Sequence, residues 1–426
     1  MSKNESILND TQKNFRHNYI VNVLDGSFFW LGYSFIAPSV ILPIYVSHFT
    51  ANKIIIGFVA VLASTGYFFP QLFTSNWVEQ IPIKKNLPVR LGFFTERLPV
   101  LLLPFTVLFA LDFPRIALMS MLLLFAWHSF GAGFVAVAWN SMIAKVIPVD
   151  KRGVFMGITT FAGKAAGIAG ASFAAYLLAK MEFPFGYMVC FGLAAIVIFI
   201  SWFFLAQTRE EPDVIIKEPV SIKKYWQDLP GILLNDQNLL RYLLAQLFIG
   251  LGGMAWGFIA VYAADKWNLS DGKVGLYSTA LLLGQTAANA FMGFIGDKRG
   301  YKQIILISLL FSLVALFIPL LDITPNWMYL VFGLRGASLS GLFLAGMIAY
   351  EFSGPEKRPT YIGINNTWLG ILQFISPLIG GLLAQNLGYP ALFSFAFGLT
   401  AVGFSVMMLG FKEPRTVGKL AVGNLD

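Results

Sequence analysis

Apolar residues run through this chain in long blocks rather than in alternation. Blocks near 20 residues or longer recur from Asn18 to Phe411, separated by short turns rich in Lys, Arg, Asp, Gly and Pro. About 20 consecutive apolar residues, each rising 1.5 Å, cross the hydrocarbon of a bilayer as one α-helix. A membrane barrel would show alternation over ~10 residues instead. The pattern therefore predicts an all-α integral membrane protein with twelve transmembrane helices. They fall at Asn18–His48, Lys53–Trp77, Val89–Leu111, Arg115–Ile147, Gly153–Lys180, Phe185–Gln207, Asn238–Lys266, Lys273–Gly296, Tyr301–Leu321, Asn326–Phe352, Pro359–Gln385 and Ala391–Phe411. Several exceed 20 residues, which implies tilt or extension beyond the hydrocarbon. Pro38, Pro43, Pro70, Pro99, Pro104 and Pro377 lie inside spans and predict kinks rather than breaks.

Composition strengthens this picture. The chain is 57% hydrophobic and 12% charged, with a mean hydropathy of +0.69. Soluble domains are about 25% charged. A formal charge of +8 would point to nucleic acid in a soluble protein. Here most of the Lys and Arg gather in the N-terminus, the C-terminus and the loops on their side. The opposite side holds Lys53, Arg115, Lys180, Lys266 and Lys273. Cytoplasmic loops carry such an excess, so both termini are expected in the cytoplasm of a cell-membrane protein. The single cysteine, Cys190, permits no intrachain disulfide. The first 17 residues are polar and mixed in charge, and the first apolar run is too long for a signal h-region, so no cleavable signal is expected.

The chain also repeats. The turn Val149-Asp150-Lys151-Arg152-Gly153 before the fifth span recurs as Gly354-Pro355-Glu356-Lys357-Arg358 before the eleventh. Met142-Ile143-Ala144 recurs as Met347-Ile348-Ala349. Thr208–Gln237 is the longest polar stretch and reads as a linker between six-helix halves. Within it Ser221–Leu234 forms either an interfacial helix, with Tyr225 and Trp226 at the headgroups, or a solvated tether.

The most specific motif is Gly293-Phe294-Ile295-Gly296-Asp297-Lys298-Arg299-Gly300-Tyr301-Lys302. So short a link forces the flanking spans to lie antiparallel. Gly293 permits close helix approach, Asp297 can meet a helix N-terminus or a basic group, and Gly300 can take positive φ. Its first-half counterpart runs from Ser75 to Lys85, with Glu79 standing for Asp297 and Lys84 for Lys302; Gln80 and Pro82 depart from the pattern. The motif resembles the signature loop of the major facilitator superfamily, between the second and third helices of each half. The resemblance extends from Asn18 to Phe411. It implies a secondary transporter of two six-helix bundles, 18–207 and 238–411, joined by a linker at 208–237, with tails at 1–17 and 412–426. It also implies gating roles for Gly293, Asp297, Lys298, Gly300, Lys302, Glu79 and Lys84. The first, fourth, seventh and tenth helices of that family line a cavity, flanked by the second, fifth, eighth and eleventh.

Ionisable groups within spans are costly and therefore functional suspects. Lys164 and Arg335 lie near mid-span in opposite halves, where an anion would relieve their repulsion; alternatively each pairs with a helix carbonyl or with Asp25. Asp25, which shares a helical row with Phe29, Gly32 and Tyr33, is the candidate proton carrier. His128 titrates near neutrality and is a candidate contact or a structural residue. Gln285 and Asn289, four apart on the eighth span, are candidate solute contacts or interhelical links. Glu96 and Arg97 read as structural partners near the headgroups or across to the second span. Small residues at Gly163, Gly167 and Gly170, and from Ser376 to Gly381, are expected to let the halves slide.

No Walker loop is present, and His17, His48, His128 and Cys190 are far apart, so neither ATP hydrolysis, a metal nor another cofactor is expected. The reading is a monomeric transporter, not an enzyme. Its partners are a small solute, membrane lipid and a coupling proton, with no nucleic acid. The leading solute is an organic anion or zwitterion. The alternatives are export of lipophilic or aromatic compounds, and a non-transporting sensor or lipid-handling protein. The fifth span lacks the proline of the family's antiporter motif, and the only arginine near the fourth, Arg115, lies at its edge. Both departures weigh against a drug exporter.

Overall fold

The computed structural model describes residues 3–212, 236–321, 323–345 and 358–413, together with 231, 348 and 352. Among these residues there are helices and turns and no strand. The possible interfacial helix at Ser221–Leu234 lies, but for Gly231, outside them.

The first expected span is two helices, Lys3–Ser34 and Ile41–Ser47, and the second is Lys53–Phe68 and Gln71–Glu79. Pro38 and Pro70 sit at the interruptions. Proline has no N–H for the carbonyl four residues back and collides with it. At these two sites the helix breaks where a kink was expected. Pro104 and Pro377 instead stay within Leu98–Val107 and Arg358–Asn386. The third span opens with π-helical turns, Leu87–Leu91 and Phe93–Arg97. Pro99 cannot bond back to Thr95, so the turn before it widens.

Pro114–Val146, Val149–Lys180 and Phe185–Ala206 follow without interruption. The seventh span is broken. Gln237–Gly252 ends in a 3₁₀ turn, Gly253–Ala255, and the helix resumes at Ile259–Trp267. Asp236 caps its start, accepting the Leu239 N–H at 2.9 Å. The remaining helices are Asp271–Arg299, Tyr301–Phe317, Trp327–Ala345, Arg358–Asn386 and Gly388–Leu409. Seven stretches of the described chain are long and apolar enough to cross a membrane by length and composition.

Two compact units result. One comprises Met1–Thr50, Leu62–Val220 and Ser270–Thr279, and the other Ala51–Val61, Ser221–Leu269 and Ala280–Asp426. In the first, Met142, Ile143, Val146, Ile147, Phe155 and Leu205 form a core cluster on the fourth to sixth spans. In the second, Leu239, Tyr242, Ile304, Leu309, Met407 and Phe411 belong to a core on the seventh, ninth and twelfth. The start of the eighth span packs within the first unit. Asp271 accepts from Tyr187 Oη at 2.9 Å and pairs with His48 at 2.7 Å, while Gly272 and Gly275 lie against Ala179 and Ala175. The start of the second span packs within the second unit, where Lys53 pairs with Asp265 at 2.8 Å. The fifth-span glycines meet their own unit's first span: Gly163 faces Trp30, and Gly170 faces Ser34 and Leu31.

Each unit contains the same polar clamp. The Asn18 amide donates to the Arg209 carbonyl and accepts the Arg209 N–H, both at 2.8 Å. Asn238 does the same with Lys412, both at 2.9 Å. The next residue in each case is a glutamate that holds a loop. Glu210 accepts the N–H groups of Lys84 at 3.0 Å and Lys85 at 2.6 Å, and the Lys145 ammonium at 3.1 Å. Glu413 accepts the Lys302 N–H at 2.8 Å. Burial pulls the Lys85 ammonium below its usual range, and the Glu210 carboxylate opposes that shift.

Glu210, whose side chain is fully buried, should be the costly residue to lose. Glu210→Ala should lower stability by about 1.5–3 kcal/mol, the worth of hydrogen bonds to a charged group. Thermal unfolding in detergent, with the exposed Glu211→Ala as control, measures it. Equal unfolding temperatures for both variants would remove the anchoring role.

Candidate functional site

The first unit buries a cluster of ionisable groups. Asp25 comes from the first span, Glu96 and Arg97 from the π-helical turn of the third, and His128 from the fourth. Their exposures are 3%, 6%, 4% and 2%. Glu96 and Arg97 lie inside the unit, where the fourth span comes close enough to cover them. A Cβ on Gly131 would collide with the Thr95 carbonyl, and one on Gly133 with the carbonyls of Gly66 and Tyr67.

Ser201 Oγ donates to Asp25 Oδ1 at 2.6 Å, and Arg97 and Glu96 are the charged neighbours of Asp25. Arg97 Nε is 3.7 Å from Glu96 Oε2, and its guanidinium lies over the Phe29 ring at 4.9 Å. Phe29 and Tyr33 stack at 5.7 Å along the helical row that begins at Asp25. His128 Nδ1 donates to the Glu96 carbonyl at 2.8 Å. Such a cluster can hold and exchange a proton. Lys164, in the same unit, is nearly buried on the fifth span, next to the glycine that faces Trp30.

The second unit carries Arg335 on the tenth span. Its guanidinium lies 4.2 Å from the Trp256 ring centroid. Trp256 occupies the turn where the seventh span is unwound. Among the described residues no carboxylate lies within ion-pair distance of Arg335. The eighth and tenth spans touch through glycines, since a Cβ on Gly284 would strike the Gly333 carbonyl and one on Gly336 the Leu281 carbonyl. On that pair of helices Asn289 Oδ1 accepts from Ser340 Oγ, and Gln285 is half-buried. Gln246 donates to Tyr242 Oη at 2.6 Å and Asn365 Oδ1 at 2.9 Å, linking the seventh and eleventh spans.

Of the loop residues, Gly300 has φ +86°, and a side chain there would meet Glu413. Lys302 Nζ donates to the carbonyls of Met408 at 2.9 Å and Phe411 at 2.6 Å, so it serves the clamp. Lys84 Nζ donates to the Ile81 carbonyl. The side chains of Gly293, Asp297, Lys298 and Glu79 lie outside the described residues. No group of three or more His, Cys, Asp or Glu able to hold a metal occurs among the described residues.

Sequence reasoning missed Trp256, Glu210 and Glu413. The glutamates had a signal, an Asn opening each half and an Arg-Glu or Lys-Glu pair closing it. Trp256 had none.

A family model described as Major Facilitator Superfamily matches residues 26–259 and 242–424. The chain is similar to an MFS-type transporter of Aspergillus oryzae, 30% identical over 37% of this chain and 28% of that protein. It is similar to the multidrug resistance protein MdtG of Klebsiella pneumoniae, 25% identical over 66% of this chain and 68% of that one. The match to the fungal protein, like those to a riboflavin transporter and a staphyloferrin B transporter, spans less than half of the relative's length. Among solved structures, the inward open xylose transporter of Escherichia coli shares the fold. Its TM-score is 0.68 at 12% identity, over 93% of this chain and 96% of that one.

Proposed function

The chain belongs to the major facilitator superfamily, and from that premise we propose that it moves a small organic anion or zwitterion across the cell membrane by alternating access, driven by protons. It is a multi-pass membrane protein and a secondary transporter rather than an enzyme. The observation that carries the anion reading is Arg335, whose guanidinium lies over the Trp256 ring, 4.2 Å from its centroid, at the unwound turn of the seventh span. Unwound turns within spans are where transporters expose backbone groups to a solute. A guanidinium presents a planar fork to carboxylate or phosphate.

Lys164, Gln285, Asn289 and His128 are further candidate contacts, each within its own unit, and Asp25 is the candidate for the proton. Gly293, Asp297, Lys298, Gly300 and Lys302, with Glu79 and Lys84, are the candidate gating residues. The six-helix bundles are taken as 18–207 and 238–411, working as a monomer among lipids. In proteoliposomes, an organic anion should accumulate along a proton gradient and lose that accumulation when a protonophore is added. Failure of every anion and zwitterion tested, with movement of neutral aromatic solutes, would favour the second reading, export of lipophilic or aromatic compounds. That reading draws on the likeness to multidrug resistance proteins and on the aromatic row of Phe29, Trp30 and Tyr33.

Orientation is testable directly. Cys190 is buried, so it should stay silent to an impermeant thiol reagent. Ser270→Cys should react from outside intact cells, and Lys298→Cys only after lysis. The reverse pattern would overturn the cytoplasmic placement of the termini.

A further inference from the structure

We propose that His48 and Asp271 form a pH-sensitive latch, which holds the ends of the first and eighth spans together while the imidazole is protonated and loosens when it is neutral. The inference rests on the alternating-access reading. It adds to that reading a control by pH on the side of the membrane opposite the termini.

The latch has a counterpart that shows what is special about it. His48 Nε2 donates to Asp271 Oδ2 at 2.7 Å, and Tyr187 Oη donates to the same oxygen at 2.9 Å. Lys53 Nζ donates to Asp265 Oδ2 at 2.8 Å, and Tyr389 Oη donates to the same oxygen at 3.1 Å. Tyr187 and Tyr389 stand near the starts of the sixth and twelfth spans. Each arrangement lies within one compact unit. In each, an aspartate from the second half of the sequence meets a basic residue from the first. The basic residues differ. Lysine keeps its charge across the physiological range, whereas histidine is the side chain whose charge changes between pH 5 and 8.

The surroundings hold the His48 ring in place. It stacks on Phe183 with centroids 4.2 Å apart and planes 22° apart, and meets the Tyr187 ring edge-on at 5.9 Å. Asp271 opens its helix, where a negative charge is favoured. The titratable groups around the pair are Tyr187, with Tyr45 and Cys190 beyond it. Lys180, Glu182 and Lys273, close in sequence, are exposed. Among the described residues none of these forms an ion pair with His48 or Asp271.

When hydronium delivers a proton to Nδ1, an N–H bond forms and water is released. The Nε2–H bond to Asp271 stays and becomes charge-assisted, about twice as strong. Parting the eighth span from the first breaks that bond. The joined state therefore binds the proton more tightly, and by linkage acid favours the joined state. The two side chains are 31% and 21% exposed. The expected gain is that of a partly exposed ion pair, about two- to fivefold in the equilibrium.

The test reads opening directly. Ser172 of the fifth span lies 3.1 Å from Thr279 of the eighth, oxygen to oxygen. Ser172→Cys, with Cys190→Ala, should therefore react with an impermeant maleimide added opposite the termini only while the eighth span stands away. Ser270→Cys marks that side independently. Rates are compared between proteins at one pH, so the ionisation of the thiol and pH effects from elsewhere in the chain cancel. Relative to His48→Gln, the chain with His48 should react equally fast at pH 8 and about two- to fivefold more slowly at pH 5.5. His48→Lys should be slow at both. Asp271→Asn should keep one ratio to His48→Gln at both. Lys53→Gln should speed labelling at both and retain the pH dependence. A ratio between the His48 chain and His48→Gln that does not change with pH would overturn the latch, as would a change that survives Asp271→Asn. Should His48→Gln not fold, His48→Lys decides: the His48 chain should match it at pH 5.5 and outrun it at pH 8, and a constant ratio sinks the latch. Either result leaves alternating access standing. Ser172→Cys that never reacts in any variant, while Ser270→Cys does, would sink the latch and alternating access together.

Discussion

Arg335→Gln should weaken binding of an anionic ligand by about 2–5 kcal/mol, the range for losing one partner of a buried charge pair. The loss for the ligand's uncharged amide or ester should be far smaller. The Arg335 guanidinium lies over the Trp256 ring and has no carboxylate within ion-pair distance among the described residues. A charge at mid-span costs at least about 2.5–3.5 kcal/mol on insertion scales. The contact with the indole returns about 0.5–2 kcal/mol, which leaves a deficit that an anion can relieve. Glutamine keeps a hydrogen-bonding side chain of moderate length and removes the charge and the fork. Thermal-shift screening finds a ligand, and affinities of the charged and uncharged forms in both proteins decide the matter. Equal losses for the two forms would make Arg335 a helix-packing residue and end the anion reading.

Asp25→Asn should abolish accumulation of solute against its gradient and leave exchange intact. Asparagine matches the shape of the carboxylate and still accepts from Ser201, which donates to Asp25 at 2.6 Å in the native protein. What it lacks is the proton. A carrier that can no longer bind the coupling proton still reorients with solute bound, so labelled and unlabelled solute continue to trade places. Counterflow and gradient-driven uptake in the same vesicle preparation separate the two outcomes. A variant that still concentrates solute would return Asp25 to a structural role.

The long apolar blocks made the helical membrane fold legible, because nothing else accounts for runs of that length. The interruptions were harder to read. Pro38 and Pro70 break their helices while Pro104 and Pro377 do not. The seventh span unwinds without a proline, in the glycine-rich run from Gly250 to Gly253. Asp25 stood out as a carboxylate inside a span. Its partners did not, because Glu96 and Arg97 fall early in the third span, where linear reading places them near water. Gly131 lets the fourth span close over the Thr95–Glu96 backbone, and such packing between helices leaves no local trace. Trp256 looked like any aromatic residue in an apolar segment.

The paired clamps bear on how such a chain tolerates rearrangement. Because Asn18 is bonded to Arg209, and Asn238 to Lys412, each half is a ring in space although it is linear in sequence. A ring has no privileged starting point. New ends opened at an exposed loop, with the old ones joined across the clamp, would leave every helix its neighbours, the condition under which circular permutation succeeds.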